Sequence, residues 1–353
     1  MKLLVSETKI SDGKAKFLGP MLTGLVSRSP NTAKVHRLFR DGKNTESDFK
    51  AAIALDSEKI ILGQKKFAFI SGGQLDWLDI IRPIAEYFGG FSGTNNKAFK
   101  YGANDYASYI GRTYPLKNGA VGPVTRWFRT NTFYRKPFVG GRIECMGDEL
   151  AEIMPKIGEN SVIFLPAPYS IARLVENRFY DNLGDLAKDY ARAIAKSGPK
   201  LREKGYSCIL LLEPCAGFEL SCNSFRLPDW FCEAVSLAKA NDIKLGINFP
   251  KAEAEEVVPI IEDSKADFIG VDLLYSTGFR VKTSKDLLLG AIDGNRVRVE
   301  SSDSIRQIVS KFLESADFSG RYYISPNDRL YDVPFDFAIQ KIKALSRCRR
   351  FLK

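Results

Sequence analysis

Short apolar runs recur along the chain, each bounded by a turn signal and followed by a stretch of helical periodicity. The runs are Lys66–Gly72, Ser161–Pro168, Ser207–Pro214, Ile243–Phe249, Phe268–Leu274, Leu287–Asp293 and Tyr322–Asn327. Each has the length of a buried strand. Between them, Asn182–Ala195 places Leu183, Leu186, Ala187, Tyr190, Ala191 and Ile194 on one side of a helix. Similar stripes cover Asp229–Ala240, Ala252–Ile261 and Ser304–Leu313. Seven strands alternating with helices, with an eighth expected in the N-terminal third, predict a closed parallel (β/α)8 barrel, the TIM barrel of the α/β class. No GxGxxG follows the first strand, which counts against a dinucleotide-binding open sheet. Residues 91–147 break the rhythm: rich in Gly, Asn, Tyr and Arg, they predict a long loop or hairpin excursion from the barrel.

In such a barrel the chemistry sits where strands end. The polar residues there are Gln74 and Asp76, Glu213, Asn248, Asp272, Asp293, and Asn327 with Asp328. Glu213, Asp272, Asp293 and Asp328 are the candidate catalytic carboxylates, since burial beside an apolar strand raises a carboxyl pKa unless a cation compensates. The plain alternative is that each caps a helix or closes a turn.

Charge changes this picture. Fifty-two Lys and Arg against forty-two Asp and Glu leave a net charge of +10, which favours anionic partners. The cations are scattered, and no zinc-finger spacing or RNP-like aromatic pattern appears, so nucleic acid is disfavoured. In the excursion Arg126, Arg129, Arg135, Lys136 and Arg142 interleave with Trp127, Phe128, Phe133, Tyr134 and Phe138, a mix suited to stacking a flat ring and pairing carboxylates. Histidine occurs once, at His36, so no His–His ligand pair can be built. The six cysteines include no CxxC pair and are expected to be thiols, Cys215 lying nearest a strand end. No metal site is expected. No apolar stretch approaches the roughly 18 residues of a membrane span, and Met1–Lys16 lacks the apolar centre of a secretory signal. The expectation is a cytoplasmic chain folded as one barrel domain over residues 1–353.

At the excursion a family resemblance emerges. Arg126-Trp127-Phe128-Arg129-Thr130-Asn131-Thr132-Phe133-Tyr134 resembles the KWFDTNYHY signature in the N-terminal barrel of cobalamin-independent methionine synthase. Further likenesses follow in order: Phe164–Tyr169 with the family's strand end LxGPVT, Leu212-Glu213-Pro214 with DEPAL, Leu289–Asn295 with LGVIDGRN, and Val333–Asp336 with VPxD. Earlier, Phe39–Gly42 and Ile70–Trp77 resemble WxGxxS and GDFxWYD. The resemblance implies methyl transfer from a reduced pterin or folate to homocysteine, with no tightly bound cofactor. In the family's catalytic barrel zinc is held by His-x-Cys, Glu and Cys; here Gly246-Ile247-Asn248, Asp272 and Asp328 stand at those places. Every soft ligand is replaced, so the chain is most similar to the metal-free N-terminal half. By carry-over, Arg126, Trp127, Asn131 and Lys34 would contact the pterin and its glutamate tail. The implied role is a pterin-binding barrel acting with a separate, homologous, zinc-bearing catalytic chain. A zinc-independent stand-alone methyltransferase or lyase, and a non-catalytic binding protein for an anionic ligand or nucleic acid, stay open beside it.

Overall fold

The computed structural model describes residues 15–77, 79–81, 83–91, 121–126, 133–145, 149–220 and 226–348. Seven parallel strands form one curled sheet in the order β1 (Lys16–Pro20), β11 (Arg321–Pro326), β10 (Asp286–Ile292), β9 (Phe268–Asp272), β8 (Lys244–Asn248), β7 (Tyr206–Leu212) and β5 (Ser161–Pro166). Both free edges, β1 and β5, bond to the segment 67–71. Ala68 N donates to Pro20 O, Ile70 N to Asn160 O, and Val162 N to Ile70 O. The barrel is therefore closed through this eighth stave, as the apolar periodicity predicts.

That stave differs from the expected strand Lys66–Gly72: its ladder consists of one bridge, Ile70 to Ser161. Two glutamine side chains replace the missing rungs. The Gln64 amide donates to Ser71 O at 2.6 Å and accepts from Ser71 N at 3.0 Å. Beyond the bridge, Gln74 accepts from Phe164 N at 2.6 Å and donates to Phe164 O at 3.1 Å, as a strand residue opposite β5 would. Gln74 stands at φ 44° and Gly73 at φ 87°, so the backbone turns away there while the side chain completes the pairing. On the other edge Gly19, at φ 139°, lets the stave approach: a Cβ there would lie 3.2 Å from Ala68 N.

Helices wrap the outside, among them α1 (Pro30–Arg40), α2 (Glu46–Gly63), α5 (Pro168–Leu174), α6 (Leu183–Glu203), α7 (Pro214–Leu220) and α11 (Phe335–Cys348), counted in chain order. Their boundaries follow caps. Ser29 accepts from Thr32 N ahead of Pro30, and Thr45 with Asp48 forms a reciprocal capping box. Helix α6 extends eight residues past the expected Ala195 because its buried stripe continues through Ser197, Gly198 and Leu201.

The excursion is an antiparallel sheet, β2 (Phe88–Phe91) paired with β4 (Phe133–Cys145), which pairs in turn with β3 (Val121–Arg126). Arg142 joins it to α6 through Asp189 at 3.0 Å. At Gly90 a Cβ would meet Arg142 O at 2.3 Å, so only glycine admits β4 that closely. Barrel, helices, β2 and β4 share one contiguous buried apolar cluster. Among the described residues, no helix is long and apolar enough to cross a membrane.

Candidate functional site

The carboxyl ends of β7, β8, β9 and β11 bring Glu213, Asn248, Asp272 and Asn327 to one mouth of the barrel, all of them buried. Three of the four form a network. Asn327 Nδ2 donates to both carboxylate oxygens of Asp272 at 3.1 Å, its Oδ1 accepts from Gly294 N at 2.9 Å, and Asn248 Nδ2 donates to Asn327 O at 3.2 Å. Asp272 also accepts from the backbone N–H groups of Lys251, Leu274 and Tyr275 at 3.0 to 3.1 Å. Burial raises its pKa against those stabilising bonds.

This donor set does not suit zinc. Both oxygens of Asp272 are occupied by N–H donors, and Asn248 and Asn327 present amide N–H rather than imidazole or thiolate to the site. Nor can position 246 carry a ligand: a Cβ at Gly246 would lie 2.1 Å from Cζ of Phe268, whose ring fills that space and packs 5.3 Å from Tyr323. Among the described residues, no group of three or more His, Cys, Asp and Glu could hold a metal ion.

Glu213 lies behind this network at the head of α7 and is fully buried. Its carboxyl accepts from Ser170 Oγ at 2.6 Å, Ser170 N at 3.1 Å and Ala216 N at 3.0 Å, tying the starts of α5 and α7 together. Burial pushes its pKa up to about 7, because those neutral donors offset the loss of water only in part and Glu219 adds a like charge. Glu219 itself is held by both Nε and Nη2 of Arg173 and by the Tyr169 hydroxyl. Ser170, Arg173 and Glu219 escape a reading of strand ends, since all lie on helices. The available signal is Pro168 in the first helical turn, which places Ser170 at an N-terminal turn facing the next strand end.

The other candidates divide. Asp293 accepts from Asn295 N and lies 3.4 Å from Arg296, closing a turn rather than facing the trio. Asp328 accepts from Arg329 N and Asn295 Nδ2, so Asn327, not its neighbour, completes the network. Asp76 is raised by burial, which the nearby Arg28 charge opposes. Arg28 donates to Leu75 O at 2.5 Å and shares a hydrogen bond with His36 Nδ1 at 3.1 Å, while His36 stacks on Phe49. Buried Cys215 has its thiol pKa raised well above the ordinary value by desolvation. Lys34 stands exposed on α1. Arg126 ends β3 opposite Phe133; Trp127 and Asn131 lie outside the described residues.

A closed parallel barrel with a polar, hydrogen-bonded mouth and an antiparallel sheet inserted before its third stave defines the class. Comparison then gives its relatives. The methionine synthases of Saccharolobus solfataricus and Saccharolobus islandicus strain L.S.2.15 are 28% and 29% identical to the chain over 240 residues, which cover 64% of it and 69% of each relative. The structure of a B12-independent methionine synthase from Shewanella sp. W3-18-1 in complex with selenomethionine superposes with a TM-score of 0.68 at 16% identity, over 95% of this chain and 98% of that one. No family model matches the sequence. The chain thus shares the fold of the B12-independent methionine synthases and is similar in sequence to archaeal methionine synthases.

Proposed function

We propose that the chain works in methyl transfer to homocysteine as the metal-free, pterin-binding barrel of a pair. It holds a reduced pterin or folate polyglutamate as methyl donor, with Arg126, Trp127, Asn131 and Lys34 as contacts, and a separate homologous chain bearing zinc activates the thiol. The barrel spanning residues 1–353 is then one working unit that binds no cofactor tightly. The observation that supports this reading is the hydrogen-bonded network of Asn248, Asp272 and Asn327, in which Asn248 and Asp272 stand where the resemblance puts two of the catalytic barrel's metal ligands. A thiol with a pKa near 8.5 is mostly protonated at neutral pH, and zinc ordinarily removes that proton. Here a carboxylate saturated by N–H donors can neither replace the metal nor serve as a base without breaking its own bonds.

Methionine formed from homocysteine and a methyl-pterin donor tests the reading, with this chain alone, a zinc-bearing homologous barrel alone, and the two mixed. Turnover should rise on mixing and be negligible for this chain alone. Robust turnover by this chain in the presence of a chelator would instead make it a zinc-independent methyltransferase. No effect on an active partner would leave it an anionic-ligand binding protein.

A further inference from the structure

Outside the barrel, α2 and α11 cross closely at one end, where a Cβ at Gly63 would lie 2.8 Å from Ile342 and Ser346 Oγ donates to Gly63 O. Beside this crossing they part to leave a groove of about 790 Å³. It runs along the barrel wall toward the amino ends of the strands, since Lys65 and Lys66 lead into the eighth stave, and so lies away from the mouth. Its floor is apolar: Leu62, Phe335 and Ile339. Its walls are cationic, with Lys59, Lys65 and Lys66 on the α2 side and Lys343 and Arg347 on α11, against one acid, Asp336. All five cations are exposed, and among the described residues Lys65, Lys66, Lys343 and Arg347 form no ion pair. Lys59 reaches Asp56 only at 4.0 Å and lies 5.8 Å from the Phe335 ring centre.

A second observation concerns α2 itself. Leu55 and Leu62 are 57% and 56% exposed, and with Lys59 between them they fall at intervals of four and three, a single stripe on the helix surface. Leu62 in the groove, and Leu55 about two turns back along α2, are left in water and call for an occupant with its own apolar face. The five cations of the groove walls call for carboxylates. We infer that this groove docks an acidic amphipathic helix of a partner protein, its apolar side on Leu62, Phe335 and Ile339 and its acidic flanks on the cations of both walls. A second copy of this chain is a poor occupant, because each carries a net charge of +10. Single-stranded nucleic acid would need rings to stack on, and Phe335, the one aromatic among the lining residues, is 4% exposed. A small polyanion would satisfy the cations and leave the leucines uncovered.

Fluorescence anisotropy on the full chain tests this with a labelled synthetic helical peptide of about 18 residues, Glu-rich with Leu at i, i+3, i+4 and i+7. Lys65→Glu/Lys343→Glu/Arg347→Glu should weaken binding at least about tenfold, and Leu62→Gln several-fold. Circular dichroism and urea midpoints should match the parent chain, all four sites being exposed; if charge reversal disturbs folding, the corresponding triple alanine variant serves, with the same direction of effect. Unchanged affinity in the variants, equal affinity for a scrambled peptide of the same composition, or tighter binding of oligothymidine would each overturn the inference. None of these outcomes bears on methyl transfer at the mouth.

Discussion

Glu213 titrates near neutrality, well above a free carboxyl. Its folded pKa of about 7 lies above the ordinary value of 4.5, so the native state holds its proton more tightly than the unfolded chain. Stability from this group is full below pH 4.5 and is lost as pH rises through 7, by on the order of 3 kcal/mol. Urea denaturation at pH 5 and pH 8 should show that loss in the parent chain and not in Glu213→Gln, whatever the glutamine costs at either pH. An equal pH dependence in both proteins would mean that Glu213 does not titrate in this window. Gly246 gives a prediction of the opposite kind. Gly246→Ala drives a Cβ into the Phe268 ring, and overpacking of a filled core typically costs about 1 to 3 kcal/mol. A measured loss below about 0.5 kcal/mol would show that the ring can move aside, and that the barrel retains room for a side chain there.

At the scale of elements, the eighth stave shows why the barrel was legible from its pattern while one of its joints was not. Buried strands announce themselves by apolar runs, and β5, β7, β8, β9, β10 and β11 lie within two residues of the expected bounds. The run Lys66–Gly72 carries the same signal, yet periodicity cannot reveal that glutamine side chains stand in for backbone rungs. For that reason Gln74, which reads as a polar strand-end residue, is structural. Gln74→Ala should leave Phe164 N–H and C=O unpaired inside the protein, at about 1 to 3 kcal/mol for each group, read as a lowered urea midpoint with unchanged slope. A loss under 1 kcal/mol would mean that water or a neighbour takes over both bonds. The mouth divides in the same way. Of the polar residues read at strand ends, Asp272, Asn248 and Asn327 come together, whereas having Asn327 rather than Asp328 in the network depends on which way one residue of a turn faces, and spacing carries no such information. Of the Tyr169–Glu219–Arg173 group only Tyr169 borders a strand-end motif; Glu219 and Arg173 lie within helices, where strand ends give no signal.

For the molecule as a whole, net charge and the inserted sheet make one further prediction. The chain carries +10, and Arg126 ends β3 at the tip of an antiparallel pair that β2 and β4 fasten to the barrel. A planar guanidinium suits carboxylates, which it can grip with two parallel N–H bonds. Such a contact gains from each added glutamate only while the charges are unscreened, and at physiological salt the screening length is about 8 Å. Polyglutamate forms of a reduced pterin should therefore bind more tightly than the monoglutamate, and raising salt should erase most of the difference while sparing whatever ring contacts Trp127 supplies. Arg126→Ala should weaken the polyglutamate by about 1 to 3 kcal/mol and the monoglutamate less. Isothermal titration of both forms at low and high salt checks all three statements. Equal affinity for the two forms, indifferent to salt and to Arg126→Ala, would remove the glutamate tail from the proposed ligand and leave the pterin ring to account for binding alone.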